Sequence, residues 1–128
     1  MTITITKQTI VDGERNVVVK AILIGADGSD VTDTLLIDAS DYSGSFTDLK
    51  IMKIQAHLDG FRVMLEWDAT TNVDAISIPG DEWVNYDFFD FGGLPNNAGT
   101  GKTGDILIDT LGMAATEEGT IVLWMRKS

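Results

Sequence analysis

Apolar and polar residues alternate along most of this chain. "TITITKQTIV", residues 2–11, switches at nearly every position, the period of a half-buried strand. "NVVVKAILI" follows, then the shorter apolar run "TLLIDAS". "LKIMKIQAHL" and "FRVMLEWDA" flank Asp59-Gly60, the sharpest hairpin signal in the chain. In the second of these, Phe61, Val63, Leu65 and Trp67 share one face, and Arg62, Met64, Glu66 and Asp68 the other. "DAISI", "DILIDTLG" and the closing "TIVLWMRK" complete the set. Asp12-Gly13, Asp27-Gly28 and Pro79-Gly80 punctuate the runs, while "DEWVNYDFFDFGGLPNN" reads as an irregular, acidic and aromatic loop. Helical caps and helical periodicity are missing over any ten residues, and "GMAATEEG" has room for one turn.

About eight short strands separated by glycine-rich turns predict an all-β fold, an antiparallel, jelly-roll-like β-sandwich. Neither repeat nor linker divides the chain, so residues 1–128 read as a single domain, with residues 1–11 as an edge strand or an extended arm. Several strands are apolar on both faces: Val17, Val18 and Val19, then Ala21 through Ile24; Leu49, Ile51, Met52 and Ile54; and Ile121 through Met125. A small sandwich dries one face of each sheet, so this excess points to packing between subunits or onto a scaffold.

Charge narrows the partners. Nine basic against twenty acidic residues give a net charge of −11, which argues against a nucleic-acid binder, since that needs a basic footprint. It favours a partner with basic patches. The absence of cysteine removes disulfide and thiolate chemistry and fits assembly in a reducing cytoplasm. The N-terminus lacks the charged start and continuous apolar run of a signal peptide, and Lys20 interrupts the longest apolar stretch, so a cytosolic protein without a membrane partner is expected.

Four stretches invite a chemical reading. "GTGKTG" suggests a phosphate-binding loop, but the required leading glycine falls on Asn96 and a strand, not a helix, follows, so a surface loop is expected. His57 stands alone beside a turn, without a nucleophile or an orienting carboxylate in its sequence context. "DGSDVTD", Asp27 to Asp33, offers carboxylates to calcium but at the wrong spacing for the helix–loop–helix calcium loop. A solvated turn is expected there, and no metal or other cofactor is assigned. Asp81, Glu82, Asp87 and Asp90 among aromatics could describe a sugar-cleaving or sugar-binding site, or a polar rim around an interface. Packing of the rings under the sandwich or into a neighbouring subunit is the reading taken, and no catalytic constellation is assigned.

Over essentially its full length the chain resembles the small β-rich virion structural proteins of tailed bacteriophages, of the type that decorate or cement capsids. The resemblance is carried by "TITKQTIVDGERNVVVKAILIGADGSD", "LEWDATTNVDAISIPGD", "DFGGLPNNAGTGKTGDILIDTLG" and "GTIVLWMRKS". It implies a non-enzymatic part of the particle: a homo-oligomer, expected to be a trimer, bound to the major capsid protein on the outer head surface. A neck or tail component and a carbohydrate-binding adhesion module are the alternatives. Contacts are expected from Thr2, Ile3, Thr4 and Ile5 of the N-terminal strand, and from the rings of Trp83, Tyr86, Phe88, Phe89 and Phe91.

Overall fold

The computed structural model describes residues 3–26 and 28–128. Nine strands form two antiparallel sheets: β1 (Ile3–Asp12), β2 (Asn16–Gly25), β3 (Thr34–Ile37), β4 (Leu49–Leu58), β5 (Arg62–Trp67), β6 (Val73–Ile78), β7 (Trp83–Asp87), β8 (Ile106–Leu111) and β9 (Glu118–Lys127). One sheet runs β1-β2-β9-β4-β7 and the other β3-β8-β5-β6. Among the pairings, β2 lies with β9, β3 with β8, β4 with β7 and β5 with β6. These are the rungs of a single antiparallel ribbon, closed at the β5–β6 hairpin and rolled so that successive rungs alternate between sheets. That is a jelly roll, as the strand pattern predicts, with β1 added at one edge.

The alternation within each strand sorts the core. Phe61, Val63, Leu65 and Trp67 all point inward and are buried, as the sequence requires. They meet Leu23 and Val19 of β2, Ile54 and Leu58 of β4, Ile106 and Ile108 of β8, and Ile121 and Leu123 of β9. In β4 the inward parity changes, from Leu49 and Ile51 to Ile54, Ala56 and Leu58, because a bulge at Met52 inserts one residue. What looks apolar on both faces in "LKIMKIQAHL" is therefore largely one face with a bulge in it. Met52 is itself buried, beneath the loop that follows β7: Phe88 N–H donates to its carbonyl at 2.9 Å, and Ile51 and Leu94 exchange backbone hydrogen bonds of 3.1 and 2.8 Å.

Two sequence expectations change. Trp83 to Asp87 is a strand and not an irregular loop; Phe89–Phe91 after it forms a single 3-10 turn. Asp59-Gly60 does not close a hairpin between its flanking strands, because β4 and β5 belong to different sheets. The dipeptide is instead a corner between layers. Gly60 has φ +86°, its N–H donates to Asp81 Oδ1 at 2.7 Å, and a Cβ there would run into the Glu117 carboxylate. A positive φ is what the turn signal encodes, and a corner uses it as readily as a hairpin.

The chain's last residues are locked by hydrogen bonds to distant segments. Lys127, almost wholly buried along its side chain, donates to Asp12 Oδ1 at 2.7 Å and to the carbonyls of Gly13 and Ser43 at 2.6 Å each. All three ammonium protons thus have partners, which is what makes a buried lysine tolerable. The Asp12 carboxyl is held below its usual value, chiefly by Lys127.

The corner makes Gly60→Val a stability test. The substitution should cost about 1–3 kcal/mol through strain at positive φ, read as a lower denaturation midpoint with an unchanged slope. A midpoint equal to the parent's would remove Gly60 from the set of structural glycines.

Candidate functional site

The two outer surfaces of the sandwich differ. On the five-stranded sheet the register lays side chains out in rows: Thr6, Ile22, Thr120, His57 and Trp83; then Gln8, Lys20, Val122, Gln55 and Asn85; then Val11, Val18, Trp124, Lys53 and Asp87. Asn16, Arg126 and Lys50 follow in a last, shorter row. β2 and β9 are truly apolar on both faces here, since Ile22, Val122 and Trp124 stay only half-buried on the outside while their neighbours in sequence fill the core. Four of the nine basic residues, Lys20, Lys50, Lys53 and Arg126, share this face in a chain of net charge −11. Lys53 Nζ lies 5.2 Å from the centre of the Trp124 ring. Of the acidic members, Asp87 stands across from Lys53 in the β4–β7 register, while Asp59 and Glu118 stand at the opposite end of the face, beside His57 and Thr120.

At that end the face sinks into a groove of about 860 Å³, lined by Ile22, Gln55, His57, Trp83, Thr120 and Val122 among others. Trp83 is 81% exposed. It owes this to its position on β7, the edge strand, where it points outward while Val84, the next residue, points into the core and is buried. Its ring centre is 5.3 Å from that of His57, directly across from it in the β4–β7 register. His57 is therefore part of an aromatic wall, a role its isolation in sequence does not reveal.

The contact residues expected from sequence fall in separate places. β1 and β7 are the two opposite edges of the five-stranded sheet, so the N-terminal strand and the aromatic segment do not form one site. Thr2 lies outside the described residues. Ile3 and Ile5 are half-buried and pack against the core, whereas Thr4 faces outward with Ile24. β1 does form an edge strand, and its far end exposes Ile10 and Val11 at a bulge. Of the rings, Tyr86 and Phe88 pack against the core; Trp83, Phe89 and Phe91 remain exposed. The carboxylates around them serve local geometry. Asp81 caps Gly60, and Asp87 Oδ1 accepts from Phe89 N–H at 2.9 Å.

The other motifs are absorbed by the fold. In "GTGKTG" Lys102 Nζ bonds Asp48 at 3.1 Å and the Thr103 hydroxyl donates to Asp68 at 2.8 Å, with β8 and not a helix following. In the acidic loop Asp27 lies outside the described residues. Asp30 accepts from the Thr110 hydroxyl (3.0 Å), Gly112 N–H (3.0 Å) and Met113 N–H (2.9 Å), pinning the β2–β3 loop to the end of β8. Burial raises the Asp30 carboxyl, but these three donors outweigh it and leave it below its usual value.

Neither a protein-family model nor a curated protein matches the chain. Among solved structures, the family 11 carbohydrate-binding module of the cellulosomal cellulase Lic26A-Cel5E of Clostridium thermocellum aligns with 98% of this chain and 83% of its own, at 16% identity and a TM-score of 0.30. The same module in complex with a β-1,3-1,4-mixed-linked tetrasaccharide aligns at the same identity and TM-score, over 98% of this chain and 82% of its own. A cupin superfamily protein from Desulfitobacterium hafniense aligns over 96% of this chain and 73% of its own, at 9% identity and a TM-score of 0.23. Superpositions this loose carry no argument about function.

Two outcomes test this geometry. Trp83→Ala should leave stability within about 0.5 kcal/mol of the parent, while Val84→Asp, one residue on, should cost several-fold more by burying a charge; chemical denaturation compares them. Asp30→Ala should lower the melting temperature at pH 7. Because the Asp30 carboxyl is depressed in the fold, its contribution is present above the unfolded value of 3.8 and is lost as pH falls through the folded value, so the gap to the parent should close in acid.

Proposed function

We propose that this protein is a non-enzymatic structural component of a tailed-phage particle, a capsid decoration protein that docks through the outer face of its five-stranded sheet. The observation that supports this reading is that uncovered face, where Ile22, Val122 and Trp124 are interleaved with Lys20, Lys53, Lys50 and Arg126. Apolar groups at the centre with cations around them suit a protein surface bearing carboxylates: the apolar centre gives the affinity, and the cations set approach and register. The full-length resemblance to virion proteins supplies the identity of that surface, the major capsid protein. This choice reverses the polarity expected from net charge alone, under which the acidic loops would meet a basic partner. Self-association, into a trimer, is assigned to the β1 edge, whose unpaired backbone and exposed Ile10 and Val11 invite a neighbouring chain.

One observation favours a second reading. Trp83 stands free over a groove of ligand-binding size, with His57, Gln55 and Asn85 beside it. An open aromatic plane next to planar amides suits a sugar ring, and a host glycan would then be the ligand of the same face.

Binding of the purified protein to undecorated heads, followed by sedimentation and by labelling in electron microscopy, separates these readings. Heads should be labelled over their outer surface, binding should weaken as salt rises, and the double substitution Lys20→Glu, Lys53→Glu should reduce it by about 10-fold or more. Label confined to neck or tail would move the protein there. A glycan bound with an affinity that Trp83→Ala abolishes and salt leaves alone would establish the adhesion reading instead.

A further inference from the structure

We infer that Asp33, Glu66 and Asp109 form a calcium-binding site on the outer face of the four-stranded sheet. The three residues come from the loop before β3, from β5 and from β8, and each presents a carboxylate oxygen within 4.8 Å of the other two. Glu66 is 91% shielded from solvent, having 9% of its surface exposed, and its Oε1 has no hydrogen-bond partner. Among the described residues none of the three carboxylates makes an ion pair. The Asp33 N–H donates to Asp109 Oδ1 at 2.6 Å, which draws the loop onto the sheet and brings its carboxylate to the cluster. Asp74 of β6 stands directly across from Glu66 in the β5–β6 register and adds negative charge to the same face.

A buried carboxylate with an orphaned oxygen, facing two others, is costly as it stands. Burial, then the carboxyls of Asp33 and Asp109, pushes Glu66 up to about 8. A proton on Glu66 relieves part of that by bridging to one neighbouring carboxylate, but it leaves the third carboxylate facing the pair without a counter-charge. A cation answers all three carboxylates together. Oxygens with this spacing can all reach one ion at about 2.3–2.6 Å, the calcium distance. Calcium also accepts an irregular set of several carboxylates completed by water, whereas magnesium keeps more of its waters and demands an octahedron. The site would tie the β2–β3 loop to the centre of the four-stranded sheet.

Calorimetric titration of the EDTA-stripped whole protein with calcium chloride at pH 7.5 tests this, together with thermal melting. Saturable binding is expected, with a rise in melting temperature of about 5 °C or more at saturation. Glu66→Gln should weaken calcium binding by about 10-fold or more and abolish the thermal shift, and Asp109→Asn should do the same. In EDTA, Glu66→Gln should melt at or above the parent, because a permanently neutral amide replaces a group that must hold a proton there and can donate to the facing carboxylates, so a folded variant is available for the comparison. Failure to saturate below about 1 mM calcium would overturn the site, leaving a shared proton as what holds the cluster. An equal thermal shift with magnesium, or one surviving in both variants, would overturn it too, since screening of the net negative charge would then account for the effect.

Discussion

The fold depends on one constraint: both arms of a long antiparallel ribbon must dry the same side of themselves. The ribbon closes at the β5–β6 hairpin, and its rungs β4–β7, β3–β8 and β2–β9 lie progressively farther from that closure. As separate two-stranded pieces these rungs would expose Leu23, Ile54, Leu65, Ile108 and Ile121, and isolated two-stranded ribbons are marginal in water. Rolling the ribbon apposes these residues and adds the β4–β9 and β5–β8 pairings, so backbone hydrogen bonding and apolar burial are completed by the same motion. Trp67, beside the β5–β6 turn, is among the largest side chains enclosed.

From that constraint follows what remains available for function. A sandwich needs only the inner face of each sheet, yet β2 and β9 carry large apolar residues on both. Val18 is buried in the row it shares with Val11 and Trp124, and Met52 beneath the loop after β7, but Ile22, Val122, Trp124 and Trp83 stay accessible. Nothing in the drying of the core requires those side chains to be apolar. The proposed docking therefore rests on them and not on Tyr86 or Phe88, whose packing the core explains.

The strands, and their inward positions, were legible in the sequence because period-two patterning reports burial directly. The inward set Phe61, Val63, Leu65 and Trp67 needed nothing else. Pairing was not legible: Asp59-Gly60 specifies a positive φ and says nothing about which sheet the next strand joins. β7 was hidden because on an edge strand the outward residues are Trp83, Asn85 and Asp87 while Val84 and Tyr86 turn inward, so large rings fall on both faces and blur the alternation. The β4 bulge was hidden because one inserted residue looks like two-sided hydrophobicity. The carboxylate cluster draws on positions 33, 66 and 109, and no local pattern brings these together; the one available signal was Glu66, an acid on the polar face of a strand otherwise destined for the core.

Distribution of charge then gives the molecule an orientation that its net charge conceals. The outer face of the four-stranded sheet carries Asp33, Asp74, Asp109 and Glu66, with Arg62 at its margin. The opposite face gathers Lys20, Lys50, Lys53 and Arg126 toward one end, with Asp87 among them and Asp59 and Glu118 at the other end. The charges on the two outer surfaces are separated by more than the spacing between sheets, about 10 Å, and so by more than one screening length at physiological salt. An approaching partner therefore feels the nearer face more than the sum. In the proposed docking, a surface rich in carboxylates is turned away by one side and received by the other, and bound subunits would all present the same acidic face outward. Like charges on that outward face would then oppose stacking of a second layer.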